Sequence, residues 1–247
     1  MKNKINYFNK NGFAILKNVI KKNEIKILLN EIEIIKKKVI LTNNKRYFHL
    51  TQDQKINTIH NIQKFYKSRI LMNLSKNDQI QKFLKKVISK NLYVRNFEFF
   101  LKPSKTGMSS PPHQDNFFWN IEDSKAANVW IALSKANKDN GGIYYLKKSH
   151  KLGTIDHVPS FKKGTSQKVS INKIKKHNYT KFYPSLNSGD CLIHHCEVIH
   201  GSNKNLSSLD RLGIAISYKN KLSKIDLVKK KIYEKKIKEN LKKLYKA

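Results

Sequence analysis

Hydrophobic positions in the N-terminal third of the chain recur at the spacing of α-helices. Asn23 is predicted to cap a helix whose apolar residues form one stripe: Ile25, Leu28, Leu29, Ile32 and Ile35. A second helical stretch is predicted from Asp53 to Arg69, and a third after Asn77, where apolar residues again lie three and four positions apart. This part of the chain is therefore expected to be helical.

The hydrophobic period changes to two at about Leu92. Aromatic and β-branched residues in Leu92–Leu101 predict a strand, because such residues favour a pleated surface. Turn signals precede further predicted strands at Asn128–Leu133, Gly142–Leu146, Asp190–His195 and Leu212–Tyr218. Many short strands with no regular helix between them favour an antiparallel sandwich or barrel, a mainly β fold with flanking helices. Helical spacing returns in the lysine-rich tail, Lys221–Ala247.

The length of 247 residues suits one domain with a sizeable core. We expect a single domain over residues 1–247, with a helical part over about 1–90, a β core over about 91–219 and a basic helix over about 220–247. No apolar run reaches the roughly 18 residues of a membrane span. The N-terminus has no secretory signal, and Cys191 and Cys196 alone cannot form a disulfide framework. A soluble, cytoplasmic protein is predicted.

The formal net charge of +34 suggests a partner that is a polyanion. Only four of the 51 basic residues are arginine, however, whereas base readout and bidentate phosphate binding favour arginine. The lysines are spread along the whole chain, so solvated lysine faces are the preferred interpretation and nucleic-acid binding is not expected. The basic C-terminal helix could pack on the protein's own surface or make a peripheral membrane contact.

The segment Pro111–Trp119 contains the most informative chemistry of the chain. If His113 and Asp115 lie in a strand, their side chains project to the same face and offer an imidazole and a carboxylate to one metal ion. His200, in the segment Glu197–Ser202, is the candidate third ligand. Two histidines and one carboxylate, with open positions left on the metal, form the facial triad of non-haem Fe(II) oxygenases.

A competing metal site lies in the same region of the sequence. Its members would be Cys191, His194, His195, Cys196 and His200. Structural zinc sites prefer paired ligands two to four positions apart on a tight turn. Cys191 and Cys196 are five positions apart in a predicted strand and so point to opposite faces. A zinc site is therefore the less favoured alternative.

The order of these motifs resembles that of the phytanoyl-CoA dioxygenase family of Fe(II)/2-oxoglutarate oxygenases. The matching stretches are NGFAILKNVI, HQDNFFW, VWIALSKANKDNGGIYYLKKSHKLG and GDCLIHHCEVIHGSNKN, followed by Arg211. They extend over roughly residues 7–218. The resemblance implies a double-stranded β-helix, a jelly roll whose two sheets enclose the metal. It also implies Fe(II) as metal, with 2-oxoglutarate and O2 as co-substrates.

By position, the resemblance assigns the iron ligands and the catalytic centre to His113, Asp115 and His200. It assigns the distal carboxylate of 2-oxoglutarate to Arg211, and a planar guanidinium suits that task because it offers two parallel donors. Further co-substrate contacts are expected, by position, at Ser202, Trp130 and Asn96. The roles of Glu98 and Trp119 are left open.

The function expected from the resemblance is hydroxylation of an unactivated C–H bond in a small-molecule or lipid-like substrate, with release of succinate and CO2. Two alternatives stay open: a lysine-rich protein that binds nucleic acid or an anionic surface, and a jelly roll that binds metal without turnover. A fold of this kind does not choose the substrate. Neither the hydroxylated position nor the oligomeric state follows from the sequence.

Overall fold

The computed structural model describes residues 1–162, 165–175 and 178–244, and within them the chain forms seven α-helices and thirteen β-strands. The helices are α1 (Lys2–Asn11), α2 (Lys22–Leu41), α3 (Arg69–Leu74), α4 (Asp78–Val87), α5 (Asp115–Trp119), α6 (Ile171–Lys175) and α7 (Leu227–Leu244). The first strands are β1 (Phe13–Leu16), β2 (Phe48–Leu50), β3 (Ile56–Ile59), β4 (Leu92–Lys102), β5 (Ser110–His113) and β6 (Ala126–Ala132). The remaining strands are β7 (Ile143–Leu146), β8 (His157–Lys162), β9 (Thr165–Val169), β10 (Lys181–Phe182), β11 (Cys191–His195), β12 (His200–Ser202) and β13 (Arg211–Asn220).

Seven strands form the larger sheet, in the order β1-β11-β6-β13-β4-β3-β2, and every neighbouring pair is antiparallel. All seven residues of β6 are buried, which is the pattern of a central strand covered on both faces. A smaller sheet has the order β10-β7-β12-β5, and β8 pairs with β9 in a separate hairpin.

The larger sheet separates two apolar layers. On its outer face, α1, α2 and α4 pack against the sheet, with Ile35 and Phe83 of the helices in the same buried cluster as Phe99 of β4. On its inner face, Trp130 of β6 packs with Tyr145 of the smaller sheet. Two facing antiparallel sheets with helices on one side are the jelly-roll arrangement that the sequence analysis expects.

The predicted helix from Asp53 to Arg69 is wrong. This segment contains β3 and a short 3₁₀ turn, Ile62–Lys64, and the next α-helix begins only at Arg69. The apolar residues of the segment lie three positions apart, which imitates a helix, but β3 pairs with both β2 and β4 at the edge of the larger sheet. Pairing with the sheet therefore outweighs the local pattern, and β1, β2 and β3 all come from the part predicted to be helical.

Of two predicted helix starts, the structure confirms one and shifts the other. Asn77 caps α4, because its side-chain Oδ1 accepts hydrogen bonds from the backbone N–H groups of Gln79 and Ile80. α2 begins at Lys22, one residue before the predicted cap at Asn23, and the Glu24 carboxylate accepts from the backbone N–H of Lys21 at 2.8 Å.

Among the described residues, no helix is both long and apolar enough to cross a membrane.

Candidate metal centre and co-substrate pocket

His113, Asp115 and His200 meet at the inner face of the smaller sheet. His113 is the last residue of β5 and lies directly opposite His200 of β12 in the antiparallel register. Asp115 is not in a strand, the condition that the sequence argument assumed, because β5 ends at His113 and Asp115 is the first residue of α5. Gln114 between them keeps an extended backbone, so the side chains of His113 and Asp115 still project to the same side.

The ligand atoms of these three residues lie within 4.8 Å of one another. His113 Nε2 is 3.8 Å and His200 Nε2 is 3.7 Å from Asp115 Oδ1. In the described part of the chain, this is the only group of three or more His, Cys, Asp or Glu side chains close enough to share one ion. The alternative zinc group around Cys191 and Cys196 does not assemble there.

Both imidazole rings are held in the orientation that metal binding requires. His113 Nδ1 donates to the carbonyl oxygen of Pro111 at 2.8 Å, and His200 Nδ1 donates to that of Val198 at 3.0 Å. With the proton on Nδ1, each ring presents the lone pair of Nε2 to the third residue of the triad, Asp115. Burial lowers the pKa of both histidines, which favours the neutral form that binds metals.

Asp115 is oriented by two residues that the sequence analysis did not assign to the site. Its Oδ2 accepts from His194 Nε2 at 3.0 Å and from Asn128 Nδ2 at 3.3 Å, so Oδ1 is the oxygen that faces the two histidines. His194 Nδ1 accepts in turn from the hydroxyl of Tyr145 at 2.9 Å. Burial alone would raise the pKa of Asp115, but the nearby His200 and the His194 hydrogen bond outweigh it and lower the pKa. The carboxylate is therefore ionised.

Alternation along β11 could have revealed the role of His194. Leu192 and His194 share the inner face of this strand, where Leu192 packs with Trp130. The sequence analysis considered His194 only as a member of the competing zinc group. The histidine next to it, His195, contacts Phe8 and His150 instead of the triad.

A second polar group lies at the far end of the pocket, where β4 and β13 pair. Arg211 is directly opposite Lys102 in the register, and the two residues are only 1% and 3% exposed. Lys102 Nζ donates to Ser202 Oγ at 2.6 Å and to the carbonyl oxygen of Asn203. Burial and the neighbouring Arg211 lower the pKa of Lys102, and burial lowers the pKa of Arg211 to about 9. Neither cation pairs with an acid of the described residues.

Trp130 and Arg211 line this end together. The Arg211 guanidinium carbon is 5.1 Å from the centre of the Trp130 ring. Gly213 makes room for the indole, because a Cβ at this position would lie 2.0 Å from a ring carbon of Trp130. Trp130 Nε1 and Arg211 Nε are both buried and have no hydrogen-bond acceptor within the described residues. These unsatisfied donors point to an acceptor-rich molecule as the missing partner.

Asn96 lies on β4, two residues from Glu98 and away from the cation pair. Its Nδ2 donates to Glu98 Oε1 at 2.9 Å, and His60 Nδ1 lies 3.1 Å from the same oxygen. The structure therefore places Asn96 in a group with Glu98 and His60. The predicted residues Arg211, Ser202 and Trp130 lie together with Lys102 of β4, which was not predicted as a site residue.

The C-terminal helix packs next to α5 instead of standing apart from the domain. The ring of Tyr233 lies 5.6 Å from that of Phe118, and the Phe118 ring lies 5.7 Å from that of His113. One aromatic layer therefore separates α7 from a candidate metal ligand. Leu227 and Val228 at the start of α7 are 66% and 70% exposed, and a peripheral membrane contact through this helix stays a prediction.

The fold and the site together define the class of protein. The chain matches the phytanoyl-CoA dioxygenase (PhyH) family over residues 8–213. It belongs to this family, a group of non-haem iron oxygenases that depend on 2-oxoglutarate, as the resemblance of its motifs predicted. The pocket fits these cofactors, because an oriented histidine pair and a carboxylate face one point, and unpartnered buried donors lie beyond them.

Individual relatives agree with this assignment. Phytanoyl-CoA dioxygenase domain-containing protein 1 of Danio rerio is 25% identical over 171 residues, which are 68% of this chain and 58% of that protein. EctD from S. alaskensis, solved with 2-oxoglutarate and 5-hydroxyectoine, aligns with a TM-score of 0.75 at 16% identity and covers 92% of this chain and 78% of its own. The epimerase SnoN, solved with Fe3+, α-ketoglutarate and nogalamycin RO, aligns with a TM-score of 0.71 at 17% identity, covering 91% and 85%.

Proposed function

We propose that this chain is an Fe(II)- and 2-oxoglutarate-dependent dioxygenase that hydroxylates an unactivated C–H bond of a small-molecule or lipid-like substrate. In this proposal His113, Asp115 and His200 hold the iron and form the catalytic centre. The observation that carries the proposal is their common orientation: each has a protein partner on the atom that faces away from the centre, at distances of 2.8–3.3 Å. Such outer partners are typical of metal ligands.

The far end of the pocket would bind the co-substrate. We assign the distal carboxylate of 2-oxoglutarate to Arg211, with Lys102 as a second cation and Ser202 as a hydrogen-bonding neighbour. A carboxylate between two buried cations would offset the cost of removing their charges from water. The Trp130 indole N–H is a further donor for the same molecule. Asn96, expected from the resemblance to contact the co-substrate, groups with Glu98 and fits the substrate side better.

Iron and 2-oxoglutarate, when bound, supply the oxidising power: one atom of O2 enters succinate, which forms with CO2, and the other enters the substrate as a hydroxyl. The residues of the chain orient the reactants and exclude water from them. Asp115 would also favour hydroxylation over halogenation, because its carboxylate would bind the iron where a halide would otherwise bind and would disfavour a second anion nearby.

The proposal is tested first by binding and then by turnover. Protein purified without oxygen and given Fe(II) and 2-oxoglutarate should develop the visible charge-transfer band of the chelate, whereas Arg211→Ala should need far more 2-oxoglutarate to do so. Succinate release upon addition of metabolite fractions would then identify substrates. A band without succinate release from any fraction would favour a metal-binding jelly roll without turnover. Absence of the band would contradict the proposal.

The relatives limit how far the product can be specified. EctD was solved with a hydroxylated compound, whereas SnoN is an epimerase with the same fold. Mass analysis of the product separates these outcomes, since hydroxylation adds one oxygen atom and epimerisation leaves the mass unchanged.

We also propose a cytoplasmic location and a small-molecule partner in place of nucleic acid. Tight, sequence-selective binding of duplex DNA at about 0.15 M salt would contradict the second of these.

A further inference from the structure

An irregularity of β4 determines where Arg95 lies. Ser217 of β13 pairs with Asn96, but Tyr218 pairs with Val94, so Arg95 is an additional residue in β4. Such a bulge interrupts the alternation of side chains and redirects one of them. The Arg95 guanidinium carbon lies 4.5 Å from the centre of the Trp119 ring, and its charge interacts with the carboxylates of Asp115 and Glu98. The bulge therefore brings a cation beside Trp119, the last residue of the helix that begins at Asp115.

The guanidinium of Arg95 is suited to binding an anion. Burial lowers its pKa, and among the described residues no carboxylate lies within ion-pair distance of it. Its backbone carbonyl accepts from Gln63 Nε2 at 2.9 Å, which fixes the position of the strand. A guanidinium that stacks on an aromatic ring keeps its forked donors available for a carboxylate or phosphate.

Glu98, three residues further along β4, provides the opposite charge. Its Oε1 accepts hydrogen bonds from Asn96 Nδ2 and His60 Nδ1, and its side chain is 25% exposed, so the carboxylate stays partly accessible. The bond to Glu98 also fixes the amide of Asn96, because only its NH2 group can donate to a carboxylate. The Asn96 Oδ1 oxygen is buried and has no donor within the described residues. Glu98 and Asn96 thus present acceptors only.

A second amide repeats this arrangement beside the metal centre. Asn128 donates its Nδ2 to Asp115, which leaves its buried Oδ1 without a donor from the described part of the chain. Asn128 and Asn96 lie on either side of Ser217, in one row across β6, β13 and β4. An apolar acyl chain would leave these oxygens unsatisfied, which is costly for buried acceptors. A substrate that donates hydrogen bonds would satisfy them.

We infer that the primary substrate is a small zwitterion whose anionic group binds Arg95 and whose ammonium group binds Glu98 and the Asn96 carbonyl oxygen. The inference rests on the proposed function, because it assumes that the pocket beside the triad is where the substrate binds. It gives a role to Glu98 and to Trp119, which the sequence leaves open. Arg95 and Glu98 are specificity-determining residues in this assignment.

The test is calorimetric titration without oxygen, on protein saturated with Fe(II) and 2-oxoglutarate. The probes are α- and ω-amino acids, each with its carboxamide, which lacks the anion, and its N-acetyl derivative, which lacks the cation. At least one free amino acid should bind about tenfold more tightly than either of its derivatives, since a charge-assisted pair is lost in each. This comparison uses the unaltered protein and does not depend on how a variant folds.

Variants assign each charge to its residue. Arg95→Gln should weaken binding of the free amino acid about tenfold or more and leave binding of its carboxamide unchanged. Glu98→Gln should also weaken binding of the free amino acid about tenfold or more, but it should leave binding of the N-acetyl derivative unchanged. Arg95→Lys should restore part of the loss. The matched control is Arg46→Gln, because Arg46 is exposed on the protein surface. This variant should bind every probe as the parent does.

Each outcome bears on the inference. Protein that forms the iron and 2-oxoglutarate complex but binds no zwitterion of the panel would overturn it and leave the proposed function intact. Variants that weaken all three forms of a probe equally would show that Arg95 and Glu98 act only on the structure of the pocket, which also overturns it. Protein that binds no 2-oxoglutarate at all would contradict the proposed function and this inference with it.

Discussion

The two ends of the pocket differ in how far the protein satisfies its own polar groups. At the metal end, His113, His200 and Asp115 each have a partner on the side that faces away from the centre. At the other end, buried donors of Arg211 and Trp130 have no acceptor among the described residues. The first arrangement fixes ligands in place before any ion arrives, whereas the second is complete only when a molecule binds.

The largest effect should follow from removing a ligand at the metal end. His113→Ala, Asp115→Ala and His200→Ala should each weaken iron binding by more than about 100-fold, the upper range for losing only an outer partner. The measurement is iron stoichiometry after anaerobic loading and gel filtration. His150→Gln is the control, because His150 contacts Asn9 and His195 but not the triad. Retention of full iron content by all three variants would eliminate the candidate site.

The next largest effect should appear at the other end, with iron binding unchanged. Arg211→Ala should weaken 2-oxoglutarate binding by about 2 kcal/mol or more, roughly 30-fold, because a buried carboxylate loses its charged partner. Arg211→Lys should bind 2-oxoglutarate more tightly than Arg211→Ala but more weakly than the parent, since an ammonium group is a point charge without the two parallel donors of a guanidinium. Titrating each variant with 2-oxoglutarate, and following the charge-transfer band, measures its affinity for 2-oxoglutarate. An exposed arginine, Arg69, is the control as Arg69→Ala.

If Arg211→Ala bound 2-oxoglutarate as tightly as the parent, the comparison between the two ends would fail. Lys102 alone would then have to hold the distal carboxylate. A loss of iron together with 2-oxoglutarate would instead show that the two ends depend on each other.

The sequence singled out residues that the structure brings together, but it predicted little of their surroundings. A short motif and a family resemblance singled out His113, Asp115 and His200, and their side chains come together, although Asp115 lies outside the strand that the motif argument assumed. The argument gave the right side because Gln114 is extended, and extended backbone alternates its side chains even where a strand has ended. A local rule was enough because the two residues are neighbours in the chain.

The outer partners of His113 and His200 lie only two positions away in the chain, but other contacts of the pocket join distant parts of it, which no local pattern connects. His194 reaches Asp115 across 79 positions and Lys102 reaches Ser202 across 100. The bulge at Arg95 depends on the register between β4 and β13, which is a property of the pair of strands. The false helix over Asp53–Arg69 has the same cause, because the edge of the larger sheet captures β3.

A smaller effect should follow from removing an outer partner at the metal end. His194→Gln should weaken iron binding by about tenfold, because the Asp115 carboxylate loses the bond that turns Oδ1 towards the centre. Tyr145→Phe should have a lesser effect of the same sign, since it acts one bond further away. Iron titration of both variants measures this. His195→Gln, the neighbouring residue whose ring contacts Phe8, should leave iron affinity unchanged; an equal loss there would indicate a general disturbance of β11.

The smallest effect should be a gain of stability from removing an unpaired cation. Lys102→Met keeps most of the length of the side chain and removes its amine, so below the lowered pKa of Lys102 the protein free of 2-oxoglutarate should gain about 1 kcal/mol of unfolding free energy while its affinity for 2-oxoglutarate falls. Because the pKa of Lys102 is lowered by folding, the unfolded chain binds more protons between that lowered value and the ordinary one of 10.5. The contribution of Lys102 to stability therefore rises with pH across this window and is weakest below it. Denaturant unfolding at several pH values should show this slope in the parent and less of it in Lys102→Met. A variant that is less stable at every pH would mean that the hydrogen bonds of Lys102 to Ser202 and Asn203 outweigh its desolvation. The polar groups at the far end of the pocket would then be satisfied by the protein itself, as they are at the metal end.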